Sequence, residues 1–406
     1  MKMPLPLEGR CILDLTRLIP GPFCTLILAD LGAEVIKIEA PDVGDYERQI
    51  RPFQGGMAYR FMLLNRNKKS VGLDLKQDRG REIFLDLARQ ADVVVEGFRP
   101  GVMDRLGLGY EDLRSVNEGL VYCSLSSYGH SGPYRDNVAH DINILAITGL
   151  LDLNGPAGGP PVIPGVQLVD TVTALYAVIG IQAALAFKDR TGRGQHVDLS
   201  MHDCAFSLMF DSVRYPLAEG RVPVRGKERL MGGLANYNIY QTKDGRYIAV
   251  GALEKKFNEQ LLRKIGLDEY IEQDGSVTTS EVNPKREEVI KTRFKEKFKE
   301  KTLLEWQELL DPANVFFSAV NTVADALEDE QLKSRGMVAE TEHPFAGAIR
   351  QIGSPVKLSE SPVNLERLPA PRLGEHGMEV LGRLGLDDKE IRALADRGVL
   401  SEYEWK

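Results

Sequence analysis

Cysteine is scarce in this chain. The four cysteines among 406 residues, Cys11, Cys24, Cys123 and Cys204, stand far apart, with no CxxC pair and no histidine at metal-ligand spacing. That pattern excludes a disulfide framework and a zinc module, and it reads as buried free thiols in a reducing compartment. Positive charge is not in excess: the formal net charge is -8. Neither a nucleic-acid-binding surface nor a membrane-surface patch is therefore expected, although a local basic pocket remains open. Phosphate-cradling motifs are also missing. Residues 155–161 read Gly-Pro-Ala-Gly-Gly-Pro-Pro, a turn-rich loop, and no GxGxxG follows a strand and no Walker-type loop occurs. NAD chemistry and nucleotide hydrolysis thus lack their usual footing, and serine hydrolysis lacks its GxSxG elbow. Long apolar runs are limited to 172–187, which carries Thr173 and Gln182 and is short for a membrane span. A buried core helix is the expectation there. No apolar signal segment opens the chain, so a cytoplasmic location is expected.

What is present is ample core. Hydrophobic residues make up 43 % and charged residues 27 %, the profile of a globular protein long enough for two domains. In the first two hundred residues, strand-like runs at 10–15, 34–39, 92–96 and 120–125 alternate with helical stretches at 22–31 and 79–89. Such alternation predicts an α/β domain with a mainly parallel sheet. Three of these runs end near Asp14, Glu39 and Glu96, and ligands collect at the carboxyl ends of parallel strands. Near residue 225 the character changes. Gly232-Gly233 opens a loop, 237–250 reads as a hairpin turning at Asp244-Gly245, and 285–310 reads as an amphipathic helix with a solvated, mixed-charge face. A final helical segment is expected over 377–385.

Asp170 heads the apolar helix 170–187. A carboxylate there is either a cap or a group placed beside the positive end of a helix dipole, where the unpaired N–H groups favour an oxyanion. Thirty residues upstream lies the pair His140-Asp141, and Glu254 follows the second strand of the hairpin. His140 is read either as a structural histidine or as an acid/base, and Glu254 either as a surface carboxylate or as part of a site. Spacing alone does not bring the three together.

Several segments carry a family resemblance. Leu15-Thr-Arg-Leu-Ile-Pro-Gly-Pro-Phe-Cys-Thr25, Leu28-Ala-Asp-Leu-Gly-Ala-Glu-Val-Ile-Lys-Ile-Glu39, Leu64-Asn-Arg-Asn-Lys-Lys-Ser70, Leu73-Asp-Leu-Lys76, Asp92-Val-Val-Val-Glu-Gly-Phe-Arg-Pro-Gly101 and Thr191-Gly-Arg-Gly-Gln-His-Val-Asp198 resemble the family III CoA-transferases (CaiB/BaiF type). That superfamily includes the α-methylacyl-CoA racemases, and the likeness runs from about residue 8 to Gly374-Glu-His376. It implies a large Rossmann-like α/β domain from 1–224 and 326–406, a smaller α+β domain over 225–325, and an intertwined homodimer. No permanently bound cofactor is implied, since coenzyme A enters as part of an acyl-CoA substrate; no nucleic acid, membrane or metal is expected.

The resemblance also assigns roles. Asp170 matches the transferase nucleophile and the racemase acid/base, His140 the opposing racemase base, and Glu254 the carboxylate supporting that histidine. Asp141 and Tyr237 join them as catalytic candidates. CoA contacts carry over to Leu73, Asp74, Leu75, Lys76, Gly97, Phe98, Arg99, Arg105, Val138 and Ala139. The backbone N–H groups opening the Asp170 helix are expected to meet an enolate oxygen. Ala40 departs from the pattern, standing where many relatives carry an arginine, so that contact is absent or comes from Lys37, Arg66 or Lys68. The 139–149 segment, Ile19, and Gly232-Gly233 with Tyr237 resemble the racemases, whereas Pro164-Gly-Val-Gln-Leu-Val-Asp170 is closer to transferase-like members. The leading expectation is an α-methylacyl-CoA racemase-like isomerase. A CoA-transferase working through an Asp170 thioester is the alternative, and a non-catalytic CoA-binding protein the third.

Overall fold

The computed structural model describes residues 3–271, 283–310 and 315–403. Two compact units emerge. The first gathers the first 148 residues, Val166–Leu208 and the chain from Glu330 onward; the second holds Gly149–Gly165 and Met209–Asp329. The segment 149–165 and residues 209–224 thus group with the second unit, outside the 225–325 span read from the sequence. Within that unit Arg225 anchors the 149–165 segment, its Nη2 lying 2.6 Å from Asp152 Oδ1.

The first unit is built on six parallel strands: β1 (Cys11–Asp14), β2 (Glu34–Glu39), β3 (Lys68–Gly72), β4 (Val93–Glu96), β5 (Val121–Ser126) and β6 (His196–Ser200). Their order across the sheet is β3-β2-β1-β4-β5-β6. The order reverses between β1 and β4, and the carboxyl ends of those two strands frame the crevice where such sheets bind ligands. Alternating side chains feed two cores. Leu13, Ile36, Val71, Val94 and Tyr122 meet one face, with Ile83, Phe84 and Leu87 of helix α2 (Asp78–Gln90). Ile12, Val35, Val93, Val95 and Cys123 meet the other, with Cys24 and Leu28 of α1 (Pro20–Asp30). The tail returns to the first core through Val380, Leu381, Ile391 and Leu394. It is tied there by Ser401 N donating to Gly72 O at 3.0 Å.

Two further helices matter for the site: α3 (Asp141–Ile147) and α4 (Leu168–Thr191). Helix α4 starts two residues before Asp170, which therefore sits in its first turn rather than at its head. The expectation of a buried core helix holds for one face only. Ala174, Ala177, Ile181 and Ala184 pack into the second core, while Leu175, Tyr176 and Ile179 are exposed, Ile179 by 61 %. Small alanines on the packed face let α4 approach the sheet closely.

The second unit carries an antiparallel sheet of β7 (Tyr237–Gln241), β8 (Tyr247–Gly251) and β9 (Phe317–Ala319), ordered β9-β8-β7. The hairpin between β7 and β8 turns at Gly245, whose φ of 76° suits glycine. The expected single helix over 285–310 is two helices, α5 (Pro284–Phe298) and α6 (Leu303–Leu309). Thr302 accepts from Glu305 N, and Glu305 accepts from Thr302 N, so a capping box starts a new helix inside one amphipathic stretch. Tyr240, Phe294, Phe298 and Trp306 form the aromatic centre of this unit. Trp306 is fully buried, and its Nε1 donates to Phe298 O at 2.9 Å. Trp306→Ala is expected to cost about 3–5 kcal/mol and leave that carbonyl without its donor. In urea titrations followed by far-ultraviolet circular dichroism, an early transition should appear in the variant; an unchanged midpoint would contradict this packing account.

Candidate active site

A cavity of about 180 Å³ opens at the carboxyl edge of the parallel sheet. Its walls come from three strand ends and two helix starts. Thr16, Arg17, Leu18 and Gly21 follow β1; Gly97, Phe98 and Arg99 follow β4; Ser126 ends β5 and Ser127 follows it. Val138, Ala139 and His140 lead into α3, and Asp170 contributes from α4. The cavity therefore lies at the order reversal between β1 and β4. It also brings together two of the catalytic candidates, His140 and Asp170, with five of the expected CoA contacts: Gly97, Phe98, Arg99, Val138 and Ala139.

The other expected contacts lie elsewhere in the first unit. Leu73 is buried in the core, 2 % exposed, and Leu75 packs against it. The Asp74 carboxylate is occupied by Lys76 N at 3.0 Å and Gln77 Nε2 at 3.1 Å. Lys76 and Arg105 are exposed and do not border the cavity. Of the remaining candidates, Glu254 is exposed at the start of helix Lys255–Ile265 in the second unit. Tyr237 begins β7 and lines a separate cavity of about 990 Å³ within that unit, beside Met231, Gly232, Lys291 and Lys295.

Asp170 is half-buried, and its surroundings disfavour its charge. Burial pushes the carboxyl up, the Asp141 carboxylate adds to the effect, and His140 and Arg60 oppose it, leaving it at about 6. Asp141 itself has a structural task. Its Oδ2 accepts from Val169 N at 2.7 Å and Asp170 N at 3.3 Å, capping α4 from the first turn of α3. This corrects the expected enolate cradle: two of the first-turn N–H groups of α4 are already taken, and an oxyanion must find other donors. It also makes Asp141 a residue that sets the position and charge of Asp170. His140 is exposed, and its backbone N–H donates to Asn143 Oδ1 at 3.0 Å at the start of α3.

The loop after β1 rests on buried charges. Asp14, Lys37 and Lys68 are fully buried. Lys68 Nζ donates to Thr25 Oγ1 at 2.8 Å, Asn65 Oδ1 at 2.9 Å and Pro22 O at 2.9 Å. Lys37 Nζ lies 2.9 Å from Asp45 Oδ2 and donates to Thr16 O at 2.7 Å. Burial alone would raise the Asp14 carboxyl, but Lys37 and Lys68 hold it down at about 2. Burial takes Lys68 down to about 8. Arg66 is buried as well, paired with Asp30 at 2.7 Å. None of Lys37, Arg66 and Lys68 is therefore free to replace the arginine missing at Ala40. Asp45 Oδ1 accepts from Leu18 N at 3.1 Å, in a loop where Leu18 takes a left-handed φ of 67°. That conformation costs a non-glycine residue about 1–2 kcal/mol and persists only when its surroundings fix it. Gly21 is required by the same packing, since a Cβ there would lie 2.1 Å from Thr16 Cβ.

Glu96 closes β4. Burial pushes its carboxyl up to about 8, Oε2 accepts from Phe98 N at 2.7 Å, and Oε1 lies 3.8 Å from His130 Nε2. It thus holds the loop that carries Phe98 and Arg99. The sequence marked Glu96 and Asp14 as strand ends and held Arg17 and Leu18 inside a family motif without a role, while Ser127 carried no sign.

The elevated Asp170 carboxyl has a consequence for stability. The folded chain holds that proton more tightly than the unfolded chain, so stability is lost as pH rises from about 4 through about 6. Asp170→Asn is neutral at every pH and should be more stable than the parent at pH 8, by on the order of 1 kcal/mol after allowing for partial exposure, with no gain at pH 4. Urea titrations at the two pH values measure this, and a variant equally destabilised at both would refute it.

Known proteins agree with this architecture. Residues 7–377 match the model of CoA-transferase family III. The human succinyl-CoA:glutarate CoA-transferase is 35 % identical over 402 residues, covering 98 % of this chain and 91 % of that protein. The human alpha-methylacyl-CoA racemase is 34 % identical over 410 residues, covering 99 % of each. Among solved structures, a CaiB/BaiF family protein from Brucella suis superposes with a TM-score of 0.82 at 32 % identity, covering 94 % of this chain and all of that one. With the order-reversal cavity, the matched span and these full-length likenesses together, the chain belongs to CoA-transferase family III.

Proposed function

We propose that this protein is an acyl-CoA enzyme that moves the α-proton of a 2-methylacyl-CoA, with His140 and Asp170 as its two acid/base groups. The observation that carries this reading is the shared cavity: both groups border it, and His140 is among the groups that draw the Asp170 carboxyl down. A carboxyl near 6 is matched to proton transfer at neutral pH, because both of its states are accessible. One group takes the α-proton, the thioester enolate forms, and the other group returns a proton to the opposite face. Glu254 and Tyr237 are given supporting roles by the family resemblance alone. Coenzyme A enters with the substrate, and no permanent cofactor takes part. The exposed apolar side chains of α4, together with Ile142 and Ile147 on α3, support a homodimer, for which a cytoplasmic setting is proposed.

A second reading is CoA transfer, supported by the human succinyl-CoA:glutarate relative. In it the Asp170 carboxylate attacks the thioester and expels CoA thiolate, leaving a mixed anhydride. The thiolate then attacks the aspartyl carbonyl, releasing the first acid and forming an aspartyl-CoA thioester for the acceptor carboxylate.

The two readings part on one experiment. The parent protein, incubated with a 2-methylacyl-CoA in deuterium oxide without any acceptor acid, is expected to exchange the α-proton. His140→Ala and Asp170→Ala should each lose about 10²-fold or more of that exchange. A His140→Ala protein that still transfers CoA, with a hydroxylamine-trapped Asp170 thioester and no α-exchange in the parent, would replace the first reading by the second.

A further inference from the structure

The cavity wall holds a cation that no role yet described uses. Arg17 lies between Thr16 and Leu18, the two residues whose backbone is gripped from below: Lys37 takes Thr16 O and Asp45 takes Leu18 N. The backbone on either side of Arg17 is therefore fixed by buried charges, while its own side chain is exposed. That side chain is held as well. Its guanidinium carbon lies 4.9 Å from the centre of the Tyr46 ring and 5.2 Å from that of Phe98, and Nη1 donates to Tyr46 Oη at 3.0 Å. These contacts restrain the guanidinium and leave other N–H donors in its fork unspent. Among the described residues Arg17 forms no ion pair with a carboxylate, and neither does Arg99 on the facing loop. Both arginines line the Asp170 cavity. The other cations beneath the β1 loop, Lys37 and Lys68, are buried and partnered.

From this geometry we infer that Arg17 is a substrate-binding residue that takes a phosphate group of the CoA thioester, acting with Arg99 across the β1 and β4 loops. The inference rests on the reading of the protein as an acyl-CoA enzyme and adds a contact that replaces the one absent at Ala40. Two uncompensated guanidiniums on adjoining loops suit a multiply charged phosphate group, because a single carboxylate neutralises only one of them. Phe98 serves both parts of the arrangement: its ring carries the Arg17 guanidinium, and its N–H is held by Glu96. Arg17 is thus presented by two independently anchored loops, one on the Lys37–Asp45 pair and one on Glu96.

The test uses Arg17→Gln, an exposed substitution that leaves the buried charges intact. Calorimetric titration with CoA at low salt is expected to give a Kd at least about tenfold weaker than the parent, the loss of one charge-assisted contact. A parallel assay with the same acyl group on pantetheine, which lacks the nucleotide and its phosphates, should show an unchanged KM. Dephospho-CoA then locates the contact: a variant-to-parent ratio that persists places it on the diphosphate, and one that disappears places it on the 3′-phosphate, either outcome supporting the inference. Equal CoA affinity in variant and parent overturns it while leaving the acyl-CoA reading in place. A KM that rises equally for the pantetheine thioester overturns it too, by putting Arg17 on the acyl group. Absence of CoA binding by the parent overturns both the inference and the reading beneath it.

Discussion

Three adjacent strands meet at one buried carboxylate, and the architecture of the first unit follows from how its charge is balanced. Asp14 ends β1, Lys37 lies opposite it on β2, and Lys68 begins β3, all without solvent. Removing any one of them from water costs several kcal/mol unless the others remain in place with their hydrogen bonds. The requirement ties the strands to one another, and it reaches further. Thr25 donates to Asp14 Oδ2 at 2.6 Å and Lys68 holds Pro22 O, so α1 is fastened to the sheet by the same charges. Asp45 extends the cluster to Leu18. An ion cluster of this kind adds little net stability compared with an apolar core, but it admits few alternative arrangements. Here the arrangement it selects is the left-handed turn that forms one wall of the cavity.

The site above it works by the opposite logic. Where the sheet neutralises its buried charges, the start of α4 leaves Asp170 underpaired: Asp141 has taken the first-turn N–H groups and contributes a second negative charge nearby. The consequence is a carboxyl that accepts and releases a proton near neutrality. A helix N-terminus would ordinarily make a carboxylate a stronger acid. The capping by Asp141 and the partial burial reverse that tendency, so that Asp170 differs from an ordinary capping carboxylate.

Much of the α/β framework was legible because it rests on local patterns. Strands β1, β2, β4 and β5 are apolar runs, and α2 has the periodicity of a helix with one buried face. Strand β3 escaped, since Lys68-Lys69-Ser70 looks like a solvated segment until Asp14 and Glu34 are seen to pair its lysines. The break between α5 and α6 escaped because a capping box works through hydrogen bonds that leave the hydrophobic period undisturbed. Lys37, Arg66 and Lys68 looked available for an anion because a sequence records charge and not burial.

The sequence by itself determined the alternation of strands and helices, the family likeness, and the prominence of Asp170 and His140, since each is written in contiguous residues or in motifs. Tertiary structure decided the rest. It chose which strand ends adjoin at the order reversal, gave the Asp141 carboxylate to α4, raised the Asp170 carboxyl, and left Arg17 and Arg99 in the cavity wall with no carboxylate partner among the described residues. These outcomes depend on desolvation and on bringing together residues far apart in the chain, from Thr16 to Met201 around the cavity. Such energies exist only once the sheet has brought the segments together.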